Sequence, residues 1–104
     1  MSKLSAQDLK KMLDEKEDFV LLDVREYADF LQGHIPGAKN ITIEELGSHL
    51  GKLDKAKLIV VYCSGPACPL SGFAMEKLEQ AGFNVKHFNG GMEEWTSKKY
   101  PVKT

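Results

Sequence analysis

The chain has 104 residues, 42% of them hydrophobic and 28% charged, enough for one domain built on one ordinary core. Its 14 basic and 15 acidic side chains nearly cancel to a net charge of −1, so it lacks the broad positive field that nucleic acid or an anionic membrane surface selects. No stretch approaches the roughly 20 apolar residues of a bilayer-spanning helix, and the opening "MSKLSAQDLKKML" has no signal-peptide run. A cytoplasmic protein with reduced thiols is expected, with neither nucleic acid nor membrane as partner.

In chain order, Ser5 followed by Asp8 has the form of a capping box with Asp in place of Glu. It opens a helix expected to run to about Lys16, with Leu4, Leu9, Met12 and Leu13 as its apolar stripe. Phe19 to Leu22 form a continuous apolar run, as in a parallel strand buried on both faces, and polar groups begin at Asp23. "YADFLQGH" reads as a short helical turn, punctuated by Gly33 and Pro36-Gly37. Ala38 to Thr42 reads as extended, and "IEELGSHLGKL" as a helix weakened by Gly47 and Gly51.

"LIVVYC", residues 58 to 63, is the most apolar segment and the second buried strand. Pro69 suits the first turn of a helix running to about Gln80, with Phe73, Leu78 and Ala81 as inward candidates and Gly82 as its stop. "FNVKHF" is a further strand, and "GGMEEWTSKK" a short final helix opened by Gly90-Gly91. Strands alternating with helices at this spacing predict an α/β domain over residues 1–104 with a mainly parallel sheet. In such sheets ligands bind beyond the carboxyl ends of the strands.

Cys63 stands at one of those ends. It and Cys68 are the only two cysteines, both inside "VYCSGPACPLSG". Two cysteines and three scattered histidines lack the paired spacing of a zinc site, so neither metal nor cofactor is expected. A strand ending at Cys63 puts its thiol at the exposed rim of the sheet rather than in the core. Ser64, Gly65, Pro66, Ala67 and Cys68 must then turn sharply into the helix. Gly65 tolerates positive φ and Pro66 fixes one dihedral. A loop turning into a helix N-terminus aims backbone N–H groups inward as an anion cradle, where a thiol ionises more easily than its reference pKa of ~8.5.

Four motifs in order carry a family resemblance across almost the whole chain: "LLDVRE" (21–26), "GHIPGAKNI" (33–41), "VYC" with its loop and a helix ending "AGF", and "GGMEEW" with "YPV". The sequence resembles a single-domain rhodanese of the sulfurtransferase family. The resemblance implies a three-layer α/β/α fold. It also implies that Cys63 accepts a sulfane sulfur as a persulfide and passes it to a thiol or protein acceptor.

The segment from Cys63 to "AGF" is two residues longer than is usual in the family, and residues 64–71 contain no Arg or Lys. Thiosulfate-using members typically carry a cation there, so thiosulfate is a doubtful natural donor. The loop is similar instead to a subgroup with C-x-G-P-x-C. In that setting Cys68 has three readings: an inert packing residue, a resolving thiol that converts a Cys63 persulfide to a disulfide, or the primary nucleophile. A binding or redox-sensing module without turnover is the alternative function. A thiol phosphatase or arsenate reductase on this architecture needs an Arg six residues after the nucleophile to clamp its oxyanion, and position 69 is Pro.

Asp23 and Arg25 are read as an ion pair, or as ligands of loop backbone, beside the site. His34 is read as structural, His49 as solvated, His87 as packed or at the sheet surface, and Trp95 as core. Ser71 is expected to bond backbone in the first helical turn, since no base is placed for it. Lys98, Lys99 and Lys103 read as a solvated tail.

Overall fold

The computed structural model describes residues 3–104. Its elements are α1 (Ala6–Asp14), β1 (Phe19–Asp23), α2 (Tyr27–Gln32), β2 (Lys39–Asn40) and α3 (Leu46–His49), the last running into a 3₁₀ turn at Leu50–Lys52. They are followed by β3 (Leu58–Tyr62), α4 (Leu70–Gln80), β4 (Val85–Phe88) and α5 (Gly91–Ser97). The four strands form one all-parallel sheet in the order β2-β1-β3-β4.

Both faces of the sheet are covered, which is why its inner strands read as unbroken apolar runs. Leu21, Val60, Tyr62 and Phe88 pack with Ala6 and Leu9 of α1 and with Met92 and Trp95 of α5. Leu22, Ile59, Val61 and Val85 pack with Leu46 of α3 and with Ala74 and Leu78 of α4. The fold is therefore a mixed α/β sandwich with helices on both faces. Among the described residues no helix is long and apolar enough to cross a membrane.

Several boundaries differ from the sequence reading. Helix α1 stops at Asp14, and Lys16 takes a left-handed φ of 54°. Ser5 caps the helix by accepting the Asp8 N–H at 3.0 Å. "IEELGSHLGKL" forms only a four-residue helix and a 3₁₀ turn, as a segment with two glycines and little apolar stripe allows. Phe73 is not inward but 60% exposed. The buried stripe of α4 is Ala74 and Leu78 at i, i+4, flanked by the partly buried Leu70 and Ala81, and Phe73 lies about 100° off that stripe. Trp95 is core: only 1% exposed, it donates its indole N–H to the Pro101 carbonyl at 2.7 Å. Lys98, Lys99 and Lys103 are exposed, but the backbone of Lys103 pairs with that of His34.

Candidate active site

The strand order reverses between β1 and β3, so the carboxyl ends of these neighbours form the crevice where open α/β sheets bind ligands. Beyond β1 stands a closed polar network. Asp23 is wholly buried and accepts from the Arg25 backbone N–H at 3.0 Å and from its guanidinium at 2.8–3.1 Å. The Tyr62 hydroxyl donates to Asp23 at 2.9 Å and accepts the Ile35 N–H at 3.1 Å. Arg25 also donates to the Gly33 carbonyl at 2.7 Å, and Asn40 donates to the carbonyls of Asp23 and Arg25.

Burial alone would lower the Arg25 pKa, but the hydrogen bond and charge of Asp23 outweigh it and raise it above its ordinary value. Burial first, and then the Asp23 charge, pushes the Tyr62 hydroxyl well above the usual phenol range. The network ties the ends of β1 and β3 to "GHIP". Asp23 and Arg25 thus form the ion pair read from sequence. Tyr62 was missed because an apolar run gives no sign of which hydroxyl will find a partner.

Beyond β3 the chain enters the cysteine loop. The Cys68 N–H donates to the Gly65 carbonyl at 3.0 Å, closing a turn over Pro66 and Ala67. Cys63 and Cys68 are joined as a disulfide, their α-carbons 6.4 Å apart, and the Ser64 hydroxyl oxygen lies 3.9 Å from the Cys63 sulfur. Cys63 is not exposed at the rim, as the sequence suggests, but 2% exposed and packed with Leu22, Val24 and Ala74. The reason is that the loop folds back on itself and lays Cys68 against the same cluster.

Helix α5 holds the loop from the side. The Met92 N–H donates to the Cys63 carbonyl at 3.0 Å, and the Glu93 N–H to the Ser64 carbonyl at 2.8 Å. This approach requires Gly91, which has φ of 61°; a Cβ there would lie 2.5 Å from the Cys63 carbonyl oxygen. The amide cradle is thinner than the loop's length suggests. Pro66 and Pro69 have no N–H, and that of Cys68 is engaged within the turn. The N–H groups of Ser64, Gly65 and Ala67 have no hydrogen-bond acceptor among the described residues.

Ser71 does not bond backbone. Buried at the start of α4, its hydroxyl lies 2.6 Å from His87 Nε2 on β4, so a base does stand beside it. Burial, and secondarily the Lys3 charge, lowers the His87 pKa. A contact spanning sixteen residues leaves no local pattern to read. His34 stacks on Phe30 and its Nδ1 lies 2.9 Å from the Phe30 carbonyl oxygen, while His49 Nδ1 lies 2.9 Å from that of Glu45. Among the described residues no three His, Cys, Asp or Glu side chains cluster to hold a metal ion.

A parallel sheet with a cysteine loop clasped between two helix starts is a fold with known relatives. The model of the rhodanese-like domain matches residues 5–98. The chain belongs to the rhodanese-like family. It is 40% identical over 88 residues to the HTH-type transcriptional regulator Rv0324 of Mycobacterium tuberculosis, covering 85% of this chain but only 39% of the regulator. It is 33% identical over 95 residues to the thiosulfate sulfurtransferase GlpE of Coxiella burnetii, covering 91% of this chain and 84% of that one. Among solved structures, the BH2092 protein of Bacillus halodurans superposes with a TM-score of 0.92 at 32% identity, over 97% of this rhodanese-like chain and 75% of its own. Family membership and relatives named as sulfurtransferases support a general sulfurtransferase role.

Proposed function

We propose that the protein is a persulfide-forming sulfurtransferase or sulfur carrier of the cytoplasm, with Cys63 as nucleophile and Cys68 as resolving thiol. The observation that carries this reading is the pairing of Cys63 with Cys68 across a turn closed by Gly65 and Cys68. In the reduced protein the Cys63 thiolate attacks the sulfane sulfur of a persulfide donor RSSH. The donor's S–S bond breaks, RS⁻ leaves, and Cys63 carries S–SH. A thiol or protein acceptor takes that sulfur in the productive cycle.

When no acceptor comes, the Cys68 thiolate attacks the inner sulfur of Cys63, forming the disulfide and expelling HS⁻; an external dithiol then restores both thiols. Ser64, Gly65, Pro66 and Ala67 shape the binding loop, and Asp23 and Arg25 hold its neighbouring rim. Thiosulfate is a poor donor in this reading, because the loop has no cation and few free amides to receive a dianion.

The test is mass spectrometry of reduced protein given a low-molecular-weight persulfide under limiting acceptor. Cys68→Ser should hold one added sulfur on Cys63, wild type should lose it and close the disulfide, and Cys63→Ser should take up none. Equal persulfide lifetimes in wild type and Cys68→Ser would remove Cys68 from the resolving role. A disulfide that closes with oxidant, in a protein that takes no sulfur from any donor, would replace the transferase with a redox-sensing module.

A further inference from the structure

Glu93 stands in the first turn of α5, where an acidic charge suits the helix N-terminus, and its side chain also lies on the cysteine loop. A Cβ on Gly65 would meet Glu93 Oε2 at 3.0 Å and the Glu93 Cβ at 3.3 Å, so the side chain lies along the loop backbone. Gly65 is buried beneath it, while Glu93 itself is exposed. Its neighbour Glu94 is committed elsewhere, accepting the Ala6 N–H at the start of α1 at 3.3 Å. The Glu93 carboxylate makes no hydrogen bond or ion pair among the described residues. The carboxylate laid on Gly65 thus stands beside a loop with no lysine or arginine between Ser64 and Ser71.

We propose that Glu93 is a specificity-determining residue, whose carboxylate on Gly65 turns dianionic sulfur donors away from Cys63 and favours sulfane donors uncharged or cationic beside the transferred sulfur. The donor class rests on the transferase reading; the charge effect itself does not. A negative charge with no ion-pair partner near the approach path repels an anion through partly aqueous surroundings. The electrophilic form of a persulfide, RSSH, carries no charge at its sulfurs, whereas thiosulfate carries two negative charges. Repulsion from Glu93 therefore separates the two donors even though both would deliver the same sulfane sulfur. The backbone bond from the Glu93 N–H to the Ser64 carbonyl anchors the Glu93 main chain against the loop, and so keeps its carboxylate within side-chain reach of Gly65.

The test uses the reduced protein and two alkylating probes of nearly equal shape, anionic iodoacetate and neutral iodoacetamide, with the Cys63 adduct quantified by peptide mapping. Both probes react with the thiolate, so their rate ratio cancels any change in thiol pKa. At low salt, Glu93→Gln should raise the iodoacetate-to-iodoacetamide ratio about two- to fivefold. The difference should shrink in ~0.5 M salt, where screening is strong. Glu15→Gln, an exposed acid just past the end of α1, should leave the ratio unchanged and so separate local from net charge. In turnover, Glu93→Gln should raise kcat/KM for thiosulfate more than for a persulfide donor. An unchanged alkylation ratio in Glu93→Gln overturns the proposal. Because alkylation needs only a thiol, a raised ratio in a protein that transfers no sulfur would keep Glu93's electrostatic role and retire the transferase reading instead.

Discussion

Two strand ends lie side by side in this molecule and treat their polar groups in opposite ways. Beyond β1, Asp23, Arg25, Tyr62 and Asn40 satisfy one another and the backbone of Gly33 and Ile35. Beyond β3, the loop leaves the N–H groups of Ser64, Gly65 and Ala67 without an acceptor among the described residues, and keeps two sulfurs in reach of each other. The first arrangement is a rigid frame, since a buried charge persists only when fully paired. The second retains unused capacity for a visiting group. In this molecule the strand end that leaves backbone N–H groups free stands beside one whose polar side chains are paired.

Removing Asp23 should break this contrast most severely. Asp23→Ala leaves the Arg25 guanidinium and the Tyr62 hydroxyl without their shared acceptor in a buried setting, at a cost of about 3–5 kcal/mol. In a domain of this size that is a fall in Tm of roughly 15–30 °C, to be read by calorimetry. Asp23→Asn keeps an acceptor oxygen and should lose clearly less. A change below about 1 kcal/mol in Asp23→Ala would mean that water takes over the network at little cost, and the frame would not be one.

A smaller change sharpens the comparison at the other strand end. Gly91→Ala forces a side chain into a left-handed backbone and against the Cys63 carbonyl, so α5 must withdraw from the loop. Stability measured by urea unfolding should fall by about 1–3 kcal/mol. Closure of the Cys63–Cys68 disulfide should slow about ten- to hundredfold, because the thiols lose their fixed separation. If stability falls while closure is unchanged, the loop holds its shape without α5.

The smallest expected effect lies at the Ser71–His87 contact, which ties the first turn of α4 to β4. Because the folded protein holds His87 below its ordinary value, the unfolded chain takes up the proton first as pH falls below ~6.5. This contribution to stability is whole above that pH and declines as pH drops toward the lowered folded value. His87→Gln keeps a hydrogen-bonding partner for Ser71 without a titrating ring. Its urea midpoint should therefore fall less between pH 7 and pH 5.5 than that of wild type. Identical slopes would show that the His87 proton does not distinguish folded from unfolded chain.

The sequence by itself determined an α/β fold with a mainly parallel sheet, because short apolar runs at 19–22 and 58–62 alternate with helical patterns, as strands covered on both faces do. It also located the cysteine loop, through Gly, Pro and two sulfurs at the end of the most apolar strand. These features are local, and local patterns survive in one dimension. Tertiary structure alone decided which groups meet across the chain: Tyr62 with Asp23, Ser71 with His87, and Glu93 with Gly65. It also decided that Cys63 is buried and Phe73 exposed, since a residue's depth depends on how its neighbours fold back over it. Contacts between residues 16 to 39 positions apart follow from strand order and helix placement, and no window of sequence contains either.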